Sequence, residues 1–365
     1  MMAKNKIVVL HLQPELNITC GISKTIYLLV NNSNKRFTQL ICTLGGDGIE
    51  RFTNAGVKPI LLKNYKNKII FAPIIFFNLY IICKKYNVEI VHSHHRYFDF
   101  LSYILSKFIK IKTITSVQSK VSRLQKFSYN SDILIAVSNS IQNHLIEKYL
   151  INKNKIVKIN NFIIRDESYI KESREYLMKK YLLGSEDITL TFVGRFDTEK
   201  GVDILLKAFE PLQSMNNNLK LLLVGNGRDQ AFVTQFINKH NLNAKILNAT
   251  LNIFEIYKIS DIVILPSRVD PFPLVMLEAG LMKKPFIGSM VDGISEFIQD
   301  GINGLLFESE NAKELSFLIL SLINDREKAK QLGENLYQKV IENNTSDYAI
   351  RSYQEVYEKM ISKGK

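Results

Sequence analysis

At 365 residues, with 46% hydrophobic and 23% charged residues, the chain is too long for one ordinary core and has the composition expected of a globular two-domain protein. A net charge of +13 favours an anionic partner such as a nucleotide or a lipid surface, although lysines scattered along the whole chain also fit plain codon bias. No zinc-finger, RNP or helix-turn-helix pattern supports a nucleic acid partner, and three scattered cysteines (Cys20, Cys42, Cys83) make neither a disulfide framework nor a zinc set.

In chain order, the first residues run straight into a strand at Lys6–His11 without an apolar leader and cleavage site, so export is not expected and the cytoplasm is. A helix over Gly21–Asn31 and a strand over Phe37–Leu44 follow. The apolar stretch Ile69–Cys83, flanked by Lys66, Lys68, Lys84 and Lys85, holds Pro73 and Asn78 and is shorter than the ~20 residues that span a bilayer. It reads as a helix buried against a sheet, or as a face lying in a membrane interface within a ring of lysines. A strand at Val88–His92, a helix at Phe98–Phe108 and short β-branched runs at Lys112–Val117, Ile133–Val137 and Lys155–Ile159 complete a βαβ series, which implies a parallel sheet.

The pattern then restarts. Strands are predicted at Ile188–Gly194, Leu219–Gly225, Lys245–Leu247, Ile262–Pro266 and Pro285–Gly288, with helices at Gly201–Phe209 and from about Gln230, Ile253, Leu274 and Glu314. The interval between the series is polar, and the linker is placed near its start. The expected architecture is α/β: two facing doubly wound, Rossmann-like domains, residues 1–163 and 164–345, with 346–365 a terminal helix able to cross back to the first.

The restart carries the chemistry. In Thr191-Phe-Val-Gly-Arg-Phe-Asp-Thr-Glu-Lys-Gly-Val-Asp203, a strand ends at Gly194 and the loop holds Arg195 and Lys200. A planar fork and a point charge at a sheet's carboxyl edge can clamp a diphosphate; alone, they could equally be solvated cations. Gly225 and Gly227 end the next strand and would let backbone approach a bound ring or ribose. Phe272, Pro273 and Leu274 sit at a helix N-terminus, where free N–H groups and the dipole attract an anion. Glu278, a turn further in, could accept from two vicinal hydroxyls, and Asp270 from hydroxyls of whatever carries the anion; the plainer alternative is an N-cap and an ordinary helix residue. A hydroxylated diphosphate, a sugar nucleotide, fits all of these groups.

These residues resemble a known family. Gly194-Arg195…Glu199-Lys200-Gly201, Asp270-Pro-Phe-Pro-Leu-Val-Met-Leu-Glu278-Ala and Asp292-Gly-Ile-Ser-Glu296…Asp300-Gly-Ile-Asn-Gly304-Leu-Leu are similar, in order and spacing, to the C-terminal half of family 4 retaining glycosyltransferases of GT-B fold. Thr19-Cys-Gly-Ile-Ser, Glu89-Ile-Val-His-Ser-His-His and Ile159-Asn-Asn-Phe-Ile match the N-terminal half more loosely. The resemblance implies an acceptor-side domain first and a nucleotide-sugar domain second, across a deep cleft. It implies that Arg195 and Lys200 bind the donor diphosphate, Glu278 the ribose, and Asp270 with the amides of Phe272–Leu274 the sugar. Gly21 would let its loop approach the donor, and the backbone near Thr250–Leu251 would read the base.

Three departures stand out. Asp270 replaces the family's usual Glu, Gln118 stands where a His is common, and Cys20 where a second glycine is common. Gln cannot exchange a proton near neutral pH, so no general-base role is expected of Gln118; with His94 and His95 it is an acceptor-side candidate. Alternation sends His92 and His94 to one side of their strand and His95 to the other. No third ligand lies at metal spacing and no Asp-x-Asp occurs, so neither a metal nor a cofactor is expected. P-loop and Gly-x-Gly-x-x-Gly patterns are absent too.

The expected activity is transfer of a hexose from a nucleotide diphosphate, UDP favoured, to a hydroxyl of a glycan or lipid-linked acceptor, as in cell-surface polysaccharide synthesis. Arg195, Lys200 and Asp270 are the residues expected at the reacting centre. A sugar-nucleotide epimerase of the same fold and a non-catalytic sugar-nucleotide-binding subunit are the alternatives. Weak contact with the anionic inner face of the cell membrane is expected through segment 69–83 and the basic residues Lys107, Lys110, Lys112, Lys120, Arg123 and Lys126.

Overall fold

The computed structural model describes residues 6–18, 20–63, 70–121, 127–164, 172–248, 250 and 252–362. The chain forms two compact units, Met1–Asn161 with Ser346–Lys365, and Phe162–Thr345. Leu251, Thr19, Arg123, Lys126 and the start of segment 69–83 lie outside the described residues.

The first unit runs β1 (Ile7–Gln13), α1 (Gly21–Asn31), β2 (Phe37–Thr43), α2 (Ile49–Asn54), β3 (Ile60–Leu61), α3 (Ala72–Lys85), β4 (Ile90–Ser93), α4 (Arg96–Leu105), β5 (Lys112–Val117), β6 (Ile133–Ala136), α5 (Asn139–Tyr149) and β7 (Ile156–Lys158). Its strands are parallel, in the order β3-β2-β1-β4-β5-β6-β7. The near-continuous apolar runs of β1 and β6 are what strands covered on both faces require. The second unit runs α6 (Arg174–Lys180), β8 (Ile188–Val193), α7 (Val202–Met215), β9 (Leu219–Val224), α8 (Gln230–Lys239), β10 (Ala244–Leu247), α9 (Ile253–Ile259), β11 (Ile262–Leu265), α10 (Leu274–Leu281), β12 (Phe286–Ser289), α11 (Asp292–Phe297), β13 (Leu305–Phe307), α12 (Ala312–Asn324) and α13 (Arg326–Asn343). Its sheet repeats the pattern, β10-β9-β8-β11-β12-β13. Both sheets are doubly wound, with the strand order reversing between β1 and β4 and between β8 and β11.

The last helix, α14 (Ser346–Ser362), belongs to the first unit. Tyr357 packs on Phe37 at a ring separation of 5.8 Å and meets His92 Nδ1 through its hydroxyl at 2.7 Å. The two chain crossings lie side by side, because the Ile163 N–H donates to Asn344 O at 2.9 Å.

Several elements depart from the sequence reading. α6 lies inside the interval read as polar linker: Ser173 accepts from Tyr176 N at 3.1 Å as its N-cap, and Leu177 is buried. β3 and β13 are too short to show a period. α3 begins at Ala72, where Pro73 suits a first turn, and only half of it is covered. Ile75, Leu79, Ile82 and Cys83 join the core cluster beside β4, whereas Phe77 is 61% exposed. A helix apolar all round would ordinarily be buried all round.

Candidate functional site

The loops leaving β8 and β11 part where the second sheet's strand order reverses, the place where open α/β sheets hold ligands. The β8 loop, Gly194–Lys200, closes in a 3-10 turn at Thr198–Lys200, and Asp197 caps it by accepting from Lys200 N at 3.1 Å. Gly201 then adopts φ +66°, and a Cβ there would stand 2.0 Å from Pro266 O. Only glycine lets the β8 loop turn left-handed against the β11 loop in this way. The helix predicted from Gly201 therefore begins one residue later, with α7.

Arg268 ties the same loops together. Its guanidinium donates to the Asp203 carboxylate at 2.8 and 2.9 Å, to Thr198 O at 2.8 Å, and to Glu310. Those bonds, first to Asp203 and then to Glu310, raise its pKa. The sequence reading passed over Arg268, although it stands two residues before Asp270; its role depends on partners distant in sequence.

Lys200 and Asp270 meet. Lys200 Nζ lies 2.5 Å from Asp270 Oδ2, which also accepts from Ser267 Oγ at 3.3 Å, and the Asp270 carboxylate is 5% exposed. The Asp270 N–H donates to Asp292 Oδ2 at 3.2 Å. Arg195, 53% exposed, reaches Asp197 and Glu199, each at 3.1 Å. Both cations read as a diphosphate clamp thus hold carboxylates, which an arriving anion would displace or share.

Asp270 is not a helix cap. The N-cap of α10 is Pro273, and no side chain caps this helix, so its first N–H groups keep the capacity to bind an anion. Phe272 beside it is buried, edge-on to Phe297 at 5.6 Å. Glu278 is also buried and accepts from Tyr257 Oη at 2.7 Å. Burial and then the Glu278 carboxylate push the Tyr257 phenol well above its usual pKa, so it stays a donor. Gly225, at φ +142°, would place a Cβ 2.0 Å from Gly194 O, and Gly227 one 2.3 Å from Phe196 O. The close approach these two glycines permit is to the β8 loop, which they hold in place.

In the first unit, Gly21 opens α1, whose N-cap Cys20 offers no side-chain bond. His95 Nδ1 accepts from Tyr97 N at 3.2 Å and caps α4. His92 and His94 share one side of the sheet, with ring centroids 4.2 Å apart. A third histidine, His11 of β1, joins them, and one nitrogen from each falls within 4.8 Å of the others, a set that could hold a metal. Sequence reasoning missed His11 because only the pairing of β1 with β4, His11 opposite His92, brings it there. Gln118 follows β5 with its Nε2 buried.

Two parallel α/β units of this topology define the GT-B class. A family model described as "Glycosyl transferases group 1" matches residues 173–339, and one described as "Glycosyltransferase Family 4" matches residues 20–167. The chain belongs to the family 4 glycosyltransferases. It is 27% identical over 292 residues, 76% of each chain, to N-acetyl-alpha-D-glucosaminyl L-malate synthase of Bacillus anthracis. A glycosyltransferase from Rickettsia africae ESF-5 superposes with a TM-score of 0.84 at 26% identity, covering 98% of this chain and 99% of the other. Anabaena Alr3699/HepE, crystallised with UDP and glucose, gives 0.85 at 18% identity over 96% and 99%.

Proposed function

We propose that the protein is a retaining, metal-independent hexosyltransferase that uses a UDP-sugar and glycosylates a hydroxyl of a glycan or lipid-linked acceptor, as in cell-surface polysaccharide synthesis. The observation that carries this is the convergence of Arg195, Lys200, Asp270 and the uncapped N-terminus of α10 at the switch point of the second sheet. The acceptor oxygen attacks the anomeric carbon as the bond from that carbon to the phosphate oxygen breaks. The departing diphosphate takes up the acceptor's proton, and at the anomeric carbon the bond made and the bond broken lie on the same face of the sugar. Arg195, Lys200 and the helix N-terminus stabilise charge growing on the diphosphate. The sequence holds no Asp-x-Asp to bind a metal there. UDP is favoured because Alr3699/HepE, of the same fold, was crystallised with it.

Thermal shift across UDP-, GDP- and ADP-sugars tests the donor, since a ligand at ~100 times its dissociation constant stabilises by about 2.7 kcal/mol. Labelled-donor turnover with glycan and lipid acceptors then separates the classes. An epimerase would release epimer without an acceptor, and a binding subunit would turn nothing over. No stabilisation by any nucleotide sugar refutes the proposal.

The proposed site of action is the cytoplasmic membrane face. Supporting it is an exposed apolar stripe at helical spacing, Ile70 (68%), Ile74 (46%), Phe77 (61%) and Ile81 (45%), with Phe108 (69%) near Phe76. Lys84 and Lys85 end α3, and Lys107 and Lys110 flank Phe108. Among the described residues no helix is long and apolar enough to cross a bilayer. Each lysine near an anionic surface adds roughly 1 kcal/mol, screened over about 8 Å. Sedimentation with anionic liposomes should therefore fall as salt rises, and equal pelleting with neutral lipid would remove the claim.

A further inference from the structure

The sheet of the first unit carries a polar row across β2, β1 and β4, and its hydrogen bonds run in one direction. Ser33 Oγ donates to Leu29 O at 2.7 Å, so its lone pair accepts from Gln39 Nε2 at 2.8 Å. That fixes the Gln39 amide with its oxygen toward His11 Nε2 at 2.7 Å, and His11 must carry its proton on Nε2. His11 Nδ1 is then a bare acceptor, and among the described residues the group facing it, at 3.0 Å, is His94 Nε2, which must donate. His94 is left with an unprotonated Nδ1, buried and without a partner among the described residues. Burial keeps both rings neutral: it lowers His11 to about 4, and His94 well below its usual value.

His94 stands one residue past β4, at the switch point of this sheet, with β1 on one side and β5 on the other. Continuing the pairing of Leu12 with Ser93 places Gln13 opposite it. Gln13 shows the same deficiency: its Nε2 donates to Glu15 O at 3.4 Å and its Oε1 is buried with no donor among the described residues. Past β5, Gln118 Nε2 is a buried donor with no acceptor among the described residues. Buried polar groups are otherwise almost always satisfied, so orphans on three neighbouring strand ends mark a ligand's place.

Resting on the transferase reading, we propose that the row Ser33–Gln39–His11 locks His94 as the Nε2–H tautomer, and that His94 Nδ1 and Gln13 Oε1 accept from hydroxyls of an uncharged polyol face on the acceptor substrate, with Gln118 donating to it. Two orphan acceptors and one amide donor suit a sugar ring and repel a carboxylate or phosphate. His11 and Gln39 are positioning residues. A metal held by the three histidines fits less well: His92 already bonds Tyr357 Oη at 2.7 Å and Ser116 Oγ at 2.8 Å, and its ring is stacked on His94 rather than converging with it.

The test uses the full chain with 15N-labelled histidine. Long-range proton–nitrogen correlations should show His94 protonated at Nε2 and bare at Nδ1. Methyl glycosides should shift those resonances, while L-malate and inorganic phosphate should not. Gln39→Met should mix the tautomers and lower kcat/KM for acceptor about three- to tenfold, the loss of one hydrogen bond, with donor KM unchanged. Gln39→Glu, which still accepts from His11, should restore both. An Nδ1–H tautomer in the native protein, shifts with malate or phosphate but not glycosides, or stoichiometric zinc on the histidines would each overturn the proposal. If no nucleotide sugar turns over, the transferase reading falls, and the tautomer and glycoside spectra still decide this one.

Discussion

Replacing Lys200 by Ala separates binding chemistry from folding. The lysine makes a 2.5 Å contact with a carboxylate only 5% exposed, while its own side chain is 21% exposed. Breaking a buried pair costs about 3–5 kcal/mol, because the partner stays behind unpaired. Here water can reach the vacated position and Ser267 Oγ still donates at 3.3 Å, so a loss of roughly 1–3 kcal/mol is expected. At about 2–4 °C per kcal/mol for a unit of this size, the melting temperature should drop by about 2–12 °C. Turnover with saturating donor should fall further, by about 2–4 kcal/mol of transition-state stabilisation, or roughly 30- to 1000-fold. Adding Asp270→Asn removes the stranded charge, so the double variant should recover most of the stability and none of the activity. Calorimetry and single-turnover kinetics on the four proteins of this cycle supply the readout. Native rates in Lys200→Ala refute the clamp, and a double variant as unstable as the single one refutes the pairing argument.

Arg195→Ala should leave folding within about 1 kcal/mol, since the guanidinium is 53% exposed, its Glu199 pair is at the surface and the buried Asp197 still accepts from Lys200 N, yet reduce turnover by about 2–4 kcal/mol; a variant with native rates would remove Arg195 from the site. Activity should survive EDTA, and complete loss restored by magnesium or manganese would contradict a cation-and-dipole site. Lys284 is lowered by burial to about 8, so between pH 8 and its ordinary 10.5 the unfolded chain binds more protons and stability rises with pH. Lys284→Met should therefore stabilise by up to about 3 kcal/mol at pH 7, and the advantage should shrink by pH 9.5 in paired thermal melts.

The fold was legible because β-branched runs alternate with helical stretches twice over, and the parallel pattern follows from that alternation. The placing of Arg195, Lys200, Asp270 and Glu278 was legible for a similar reason: they lie in two short segments at strand ends. What stayed hidden depends on contacts between distant segments. Nothing in Gly225 or Gly227 says whether the neighbour needing room is a ligand or Gly194 O. His11 looks like a core residue of β1 until the register sets it against His92, and Tyr257 joins Glu278 only once α9 packs near α10. Segment 69–83 left two readings open, a helix buried against a sheet or a face in a membrane interface, because its apolar residues surround the helix and periodicity cannot tell which side will lack a neighbour.

Because α14 returns to the first unit, the second is an insertion between β7 and α14, with its two ends laced at Ile163 and Asn344. Gene dissection should be asymmetric in consequence. Residues 162–345 can be excised as one continuous cassette with adjoining termini, suited to nucleotide titration or to grafting. The other half is discontinuous, and trimming the tail strips Tyr353 and Tyr357 from the histidine layer almost 265 positions earlier in the chain, so a C-terminal truncation would read out as damage at the N-terminal strands.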